Sequence, residues 1–338
     1  MKKIFAIVYI LLISIIFIGC GNEPVLTGLL EYYIVYEGKT SEPISYHVER
    51  APEDFVEFKS LTLEKLKIID NKLVGLEAGF AAIEVTVKDS SIKEVIPVYV
   101  LSPYSYVSNS QGVTLSKYLG TPKEELIIPE TVYVYDENGY EFKTVTGIGD
   151  YFYTESELDS KRIILPKTIT SIGKYAFANN DSLEEVIIPF DSNITEFSEG
   201  LFSNTTNLIT INIPNDLTTI NESAFRGSNI SELIIEDNEY FVYENNLLID
   251  FNTSSKSGIV IYANPLSEDF LVPDNVSMIA ANVFYGHKNI KFIDLNGVEF
   301  IGKEAFMNST LQEVSSEVDF EFDKDAFLNT PYYEHINN

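Results

Sequence analysis

The sequence predicts a mainly β protein, a solenoid of short repeats with helical turns, preceded by a small β-sandwich. Three observations predict it. One aromatic position recurs in a fixed frame through the C-terminal part, at Tyr153, Phe177, Phe202, Phe225, Phe284, Phe306 and Phe327. Upstream the frame is absent, and short runs alternate apolar and polar residues between turn residues, as in Leu30, Tyr32, Ile34 and Tyr36. The composition, 22 Phe and 21 Tyr with no Trp in 338 residues that are 45% apolar, suits β-rich cores in two globular units.

The repeat is clearest in KRIILPKTITSIGKYAFANNDSLEEVIIP, residues 161–189. An apolar strand closes on Pro, a Thr-x-Ile-Gly turn follows, then an Ala-Phe pair in a short helical turn and a Leu leading into the next strand. Five residues before each aromatic lie Ile148, Ile172, Phe197, Ile220, Ile279, Ile301 and Phe322, and three residues before those, Val145, Ile169, Ile194, Leu217, Val276 and Val298. The aromatic spacings are 24, 25, 23, 59, 22 and 21 residues. A unit that short cannot bury its own apolar face, whereas stacked copies share one continuous core.

The chain opens with Lys2 and Lys3, an uncharged apolar run from Ile4 to Ile18, and then Gly19-Cys20. The run is short for a membrane span of about 20 residues, and its order is that of an export signal. Phe17-Ile18-Gly19-Cys20 resembles the lipobox of bacterial lipoproteins, which implies cleavage before Cys20 and lipid on its thiol. Cys20 is the sole cysteine, so no internal disulfide competes for it. Residues 1–19 are therefore expected to be a lipoprotein signal peptide and 20–28 a tether; Phe17, less usual there than Leu, leaves ordinary signal cleavage or an uncleaved anchor as alternatives.

Residues 29–101 carry several short strands, among them Ile83, Val85, Val87 and Ile96, Val98, Val100, with turns at Gly38, Asp70-Asn71, Gly75, Gly79 and Asp89-Ser90. This predicts a small β-sandwich. Pro97 in the last strand lacks a donor and is expected at an edge or bulge. DNKLVGLEAGFAAIEVTVKD, with YEGKT upstream, resembles the group-2 bacterial immunoglobulin-like domain. The Trp often present in that domain is missing, and Phe55 or Phe58 is expected in its place.

The Ser-rich stretch 102–111 reads as a linker, and 112–338 as the repeat domain. An irregular first repeat with a hairpin, at about 130–144, suits a cap over an open core end. The 59-residue spacing between Phe225 and Phe284 holds a second β excursion, at about 236–271. The frames ITSIGKYAF, LTTINESAF, VSMIAANVF and VEFIGKEAF, with EEVIIP and ITINIP between them, resemble the BspA-type (treponemal) leucine-rich repeat family. That resemblance implies a leucine-rich-repeat solenoid and a surface protein. The family often has Cys three residues after the Phe; here Asn180, Thr205, Ser228, His287 and Ser309 stand there, so His287 reads as a column variant.

Function is read mostly by exclusion. With 23 Lys plus Arg against 51 Asp plus Glu, the formal net charge is −28, which repels phosphate backbones and disfavours nucleic-acid binding. The histidines His47, His287 and His335 lie in separate segments, and no HExxH, CxxC or phosphate-cradling Gly-rich loop is present. No enzyme, cofactor or metal site is expected. The acids Asp319, Glu321, Asp323 and Asp325 alternate as on a strand with one wet face and lack the central Gly of a calcium loop.

The period-two rule turns the fourth position of each repeat strand outward. That row reads Ile164, Ile187, Asn212, Ile234 and Asp294, beside a second row of Glu185, Thr210, Glu232, Phe292 and Glu313. Ile164, Ile187, Ile234 and Phe292 form a candidate binding strip ringed by acids, unless an excursion covers them or β-branched residues are there simply to suit the strands. The leading expectation is a lipid-anchored, surface-exposed envelope protein whose solenoid binds a host, matrix or neighbouring-cell protein, with the sandwich as spacer. The alternatives are a structural envelope component or a substrate-binding accessory of an exported enzyme system.

Overall fold

The computed structural model describes residues 23–121, 123–136, 138–155, 159–252 and 257–336. Cys20 and the apolar run before it lie outside these. The chain divides into two compact units: one extends to Pro103 and takes in Thr131–Lys143, the other comprises Tyr104–Glu130 and the chain from Thr144 onward. Among the described residues no helix is long and apolar enough to cross a membrane.

The N-terminal unit holds a four-stranded sheet in the order Tyr33–Tyr36, Lys93–Leu101, Gly79–Val87, Val56–Ser60, and a three-stranded sheet in the order Thr40–Pro43, Lys72–Gly75, Leu66–Ile69. Their inner faces share one core, with Leu66 and Leu73 from the smaller sheet meeting Ile83, Val85, Val98 and Val100 from the larger. Alternation sorts the faces: Ala81, Ile83, Val85 and Val87 are buried while Phe80 is exposed. Phe55 and Phe58 pack against this core only half-buried. Pro97 lies in an internal strand, yet the pairing with Tyr33–Tyr36 begins at Val98, so no neighbour is paired to it on that side.

Two expectations are corrected here. The hairpin of Thr131–Asp136 with the start of Gly139–Ile148 groups with the N-terminal unit and not with the repeats. Its Tyr140 ring stacks on Tyr99 at 3.6 Å between centroids, and Tyr133 donates its backbone N–H to Ser102 Oγ at 2.9 Å. The expected linker at 102–111 contains a strand, Tyr104–Ser108, antiparallel to Val113–Tyr118. Tyr104 and Tyr118 are buried ring to ring, so the Ser-rich composition concealed an apolar anchor.

In the second unit each regular repeat gives a short strand to one parallel ladder, usually a two-residue strand to another, and a turn carrying the buried aromatic. All seven aromatics from Tyr153 to Phe327 are buried, as is the column from Val145 to Val298. The Ile column is buried from Ile148 to Ile301, and its last member Phe322 is 42% exposed. The turns place residues in the left-handed region at the second position after the Phe, held by Asn179, Asn204, Gly227, Gly286, Asn308 and Asn329. Asn and Gly tolerate that conformation at least cost, which explains the column. Gly200, at a φ of +62°, is left-handed too and has a second reason: a Cβ there would lie 2.1 Å from the Tyr175 ring.

The buried polar column forms local caps. Thr205 and Ser228 donate their hydroxyls to the carbonyls of Phe202 and Phe225 at 2.8 Å. Asn180 Oδ1 accepts from the N–H groups of Ser182 and Leu183. His287 does the same with Nδ1, accepting from Asn289 and Ile290, while Nε2 lies 3.0 Å from the Asn264 carbonyl. Burial holds the His287 imidazole below its ordinary pKa.

The second excursion inserts Phe241–Glu244, Leu247–Asp250 and Gly258–Ala263 into the second ladder. It ends earlier than 271, because Asp269–Leu271 pairs in parallel with Phe292–Asp294 as a repeat strand does. The first ladder is consequently split into a five-stranded sheet ending at Glu232–Ile235 and a three-stranded sheet beginning at Asp269–Leu271.

Candidate functional site

The five-stranded sheet runs in the order Glu125–Ile127, Arg162–Ile164, Glu185–Ile187, Thr210–Ile213, Glu232–Ile235, all parallel and in register. In each strand the central residue points to the core: Leu126, Ile163, Val186, Ile211 and Leu233 are buried. Period two then turns the flanking residues to the other face. One outward row reads Ile127, Ile164, Ile187, Asn212, Ile234. Ile127 and Ile234, at the two sheet edges, are 59% and 40% exposed, and Ile164 and Ile187 between them are half-buried.

The neighbouring row is Glu125, Arg162, Glu185, Thr210, Glu232. Arg162 lies between two carboxylates: Nη1 donates to Glu125 Oε2 at 2.9 Å, and Nε sits 2.7 Å from Glu185 Oε2 as an ion pair without hydrogen-bond alignment. Lys161 lies between Glu124 and Glu184 at 3.6 and 3.5 Å. Thr210 donates its hydroxyl to Glu232 at 2.9 Å. These pairs are half exposed and contribute little to stability, but they hold an ordered charged border beside the apolar row.

Of the four strip residues expected from sequence, Ile164, Ile187 and Ile234 share one face. Phe292 is in the separate three-stranded sheet, in register with Asp269 and Glu313. Ile127 was missed because the first repeat lacks the aromatic column, although ELIIP at 125–129 has the form of EVIIP at 185–189. Among the described residues no group of three or more His, Cys, Asp or Glu is arranged to hold a metal ion. Asp323 caps its own turn, accepting from the Asp325 N–H at 3.1 Å.

Residues 139–248 and 258–337 match the BspA type leucine rich repeat region, in six copies. The chain belongs to the BspA-type leucine-rich repeat family. No curated protein sequence matches it. Among solved structures, this BspA-type chain is similar to a leucine rich cell surface protein from Faecalibacterium prausnitzii, with 20% identity over 63% of this chain and 74% of that one and a TM-score of 0.33. The pneumococcal vaccine antigen PcpA matches at 20% identity over 63% of this chain and 67% of its own, with a TM-score of 0.47. The leucine rich repeat protein of T. pallidum matches at 16% identity over 70% of this chain and 92% of its own, with a TM-score of 0.36.

Proposed function

We propose that this BspA-type protein is a non-catalytic binding module whose partner docks on the outward face of the five-stranded sheet. The observation that carries the reading is the outward row Ile127, Ile164, Ile187, Asn212, Ile234, whose isoleucines keep apolar surface in contact with solvent beside an acidic border. Apolar groups fixed on a rigid sheet lose little freedom on binding, and a charged rim selects the partner and its register. Glu124, Glu125, Glu184, Glu185 and Glu232 outnumber Lys161 and Arg162, so the partner surface is expected to be a protein with an apolar centre and a basic margin.

The setting proposed for this module is the bacterial cell surface. The export signal and the sole cysteine, Cys20, support a lipid anchor, and the N-terminal unit, read as an immunoglobulin-like domain, would serve as a spacer. Adhesion to a host, matrix or neighbouring-cell protein is the use that fits such a surface. The test is capture by the immobilised soluble ectodomain from host proteins, envelope fractions and glycans. Specific retention of a protein supports a binding module; retention of nothing but envelope polymer would favour a structural component instead.

A further inference from the structure

In a regular stack, each turn donates two or three backbone hydrogen bonds to the next, and two of them recur along the column. The N–H of the column aromatic bonds to the carbonyl one residue before the next aromatic: Tyr153 to Ala176, Phe177 to Leu201, Phe202 to Ala224, Phe284 to Ala305 and Phe306 to Ala326. The N–H two residues later bonds to the carbonyl just after the next aromatic: Asn179 to Ser203, Asn204 to Arg226, Gly286 to Met307 and Asn308 to Leu328. Between the turns of Phe225 and Phe284 this pattern is interrupted. Among the described residues the N–H groups of Phe225 and Gly227 have no backbone acceptor, and the carbonyls of Val283 and Tyr285, which the pattern assigns to them, receive no backbone donor.

The cause is the second excursion. Its three strands precede Val276–Ile279 in a six-stranded sheet that does not include Thr219–Ile220, and contribute no turn between those of Phe225 and Phe284 among the described residues. A cleft of about 540 Å³ lies there, bordered by Phe225, Arg226 and Gly227 on one turn and Val283, Tyr285 and Gly286 on the other. Tyr262 from the excursion fills the core side, its ring 5.2 Å from that of Phe225. Arg226 reaches from its own turn to the next, its guanidinium 4.3 Å from the Tyr285 ring centroid, and to the turn beyond, Nη2 3.0 Å from Glu304 Oε2. Asn282 also lines the cleft, and its Oδ1 is buried without a hydrogen-bond partner.

We propose that this cleft binds an extended polypeptide segment, which enters as a surrogate rung of the turn ladder. Its carbonyls accept from Phe225 and Gly227 and its N–H groups donate to Val283 and Tyr285. Two donors on one wall and two acceptors on the other, each pair two residues apart, match the alternation of an extended backbone. Unpaired backbone edges of this kind are templates for strand addition, in which the main chain supplies affinity and side-chain pockets supply choice. The site is separate from the sheet face, so either can fail without the other.

Gly286 provides the test. Its φ of +67° matches the +61° of Asn308 in the same column, and nothing lies within 4 Å of a Cβ built on it. In this column Asn204 and Asn329 each donate Nδ2 to the Asn Oδ1 of the preceding repeat at 2.9 Å. Gly286→Asn should therefore fold and direct an amide into the cleft. A random heptapeptide display library selected on the full chain supplies the probe. The enriched peptides are expected to bind Gly286→Asn at least tenfold more weakly, to bind Ile187→Ser/Ile234→Ser unchanged, and to slow exchange of the Phe225 and Gly227 amides at least tenfold. N-methylation at alternate peptide nitrogens should abolish binding to the unaltered chain, a readout that does not depend on the variant folding. Failure to enrich any peptide, equal binding by folded Gly286→Asn, or Phe225 and Gly227 amides as slow in the free chain as those of Phe202 and Phe284 would each overturn the proposal.

Discussion

Phe177 and Phe202 stack at 5.7 Å between ring centroids with their planes 13° apart, although 25 residues separate them. The contact recurs from Phe202 to Phe225 at 6.0 Å, from Phe284 to Phe306 at 4.7 Å and from Phe306 to Phe327 at 5.1 Å. Phe202 and Phe306 are thus each held by the repeat before and the repeat after, and Phe177, Phe225, Phe284 and Phe327 by one neighbour in the column.

Phe177→Ala should accordingly cost roughly 3–5 kcal/mol, combining lost transfer energy with an unfilled cavity. Nearest-neighbour stacking confines the damage to adjoining repeats. Hydrogen exchange should show accelerated amides near Tyr153 and Phe202 and unchanged ones in Gly79–Val87. Equal loss in both places would contradict the separation into two units.

Protonation of His287 should destabilise the repeats. Its neutral ring accepts at Nδ1 from Asn289 and Ile290 and can donate at Nε2 to Asn264; a proton on Nδ1 would face two donors. The folded-state pKa is lowered from 6.5, so the unfolded chain takes up the proton first. This contribution is fully present above the unfolded value and is lost as pH falls through the folded one. His287→Asn, which copies the bonding of Asn180, should show a smaller drop in melting temperature between about pH 7.5 and about pH 5 than the unaltered chain. Identical drops would mean that His287 takes up its proton equally readily in the folded and the unfolded chain, and would contradict the account.

Cys20→Ser should release the protein to the soluble fraction and abolish labelling by a fatty-acid probe. A variant that stays on the membrane with an unchanged N-terminus would rule out the lipobox reading of Phe17-Ile18-Gly19-Cys20.

Much of the repeat region was legible because a solenoid writes its core into sequence at fixed spacing. Phe177, Ile172 and Ile169 are each one member of a column, and the columns could be counted. What repetition does not encode was harder to see. The Tyr99–Tyr140 stack joins residues with no common period, so nothing local assigned the hairpin to the N-terminal unit. Spacing alone puts Asp269–Leu271 in the excursion, although LVP at 271–273 has the form of IIP at 187–189. The sheet strip followed from period two for Ile164, Ile187 and Ile234, but the position of Phe292 depended on where the ladder splits, which is set by strand pairing and not by alternation. The open edge at Phe225 and Gly227 has the same origin.

The central claim is that the outward face of the five-stranded sheet is a binding surface. It is tested most directly by changing Ile187 and Ile234 together to Ser and measuring partner capture and melting temperature on the same preparation. Both side chains flank the core-facing Val186 and Leu233 without filling the core, so the cost to stability should stay within about 1 kcal/mol each, the span of strand propensity. The account predicts lost capture with a nearly unmoved melting temperature. Capture undiminished, with melting lowered by the roughly 1–3 kcal/mol per site expected of a buried hydroxyl without a partner, would show that the row is covered and is not where the partner binds.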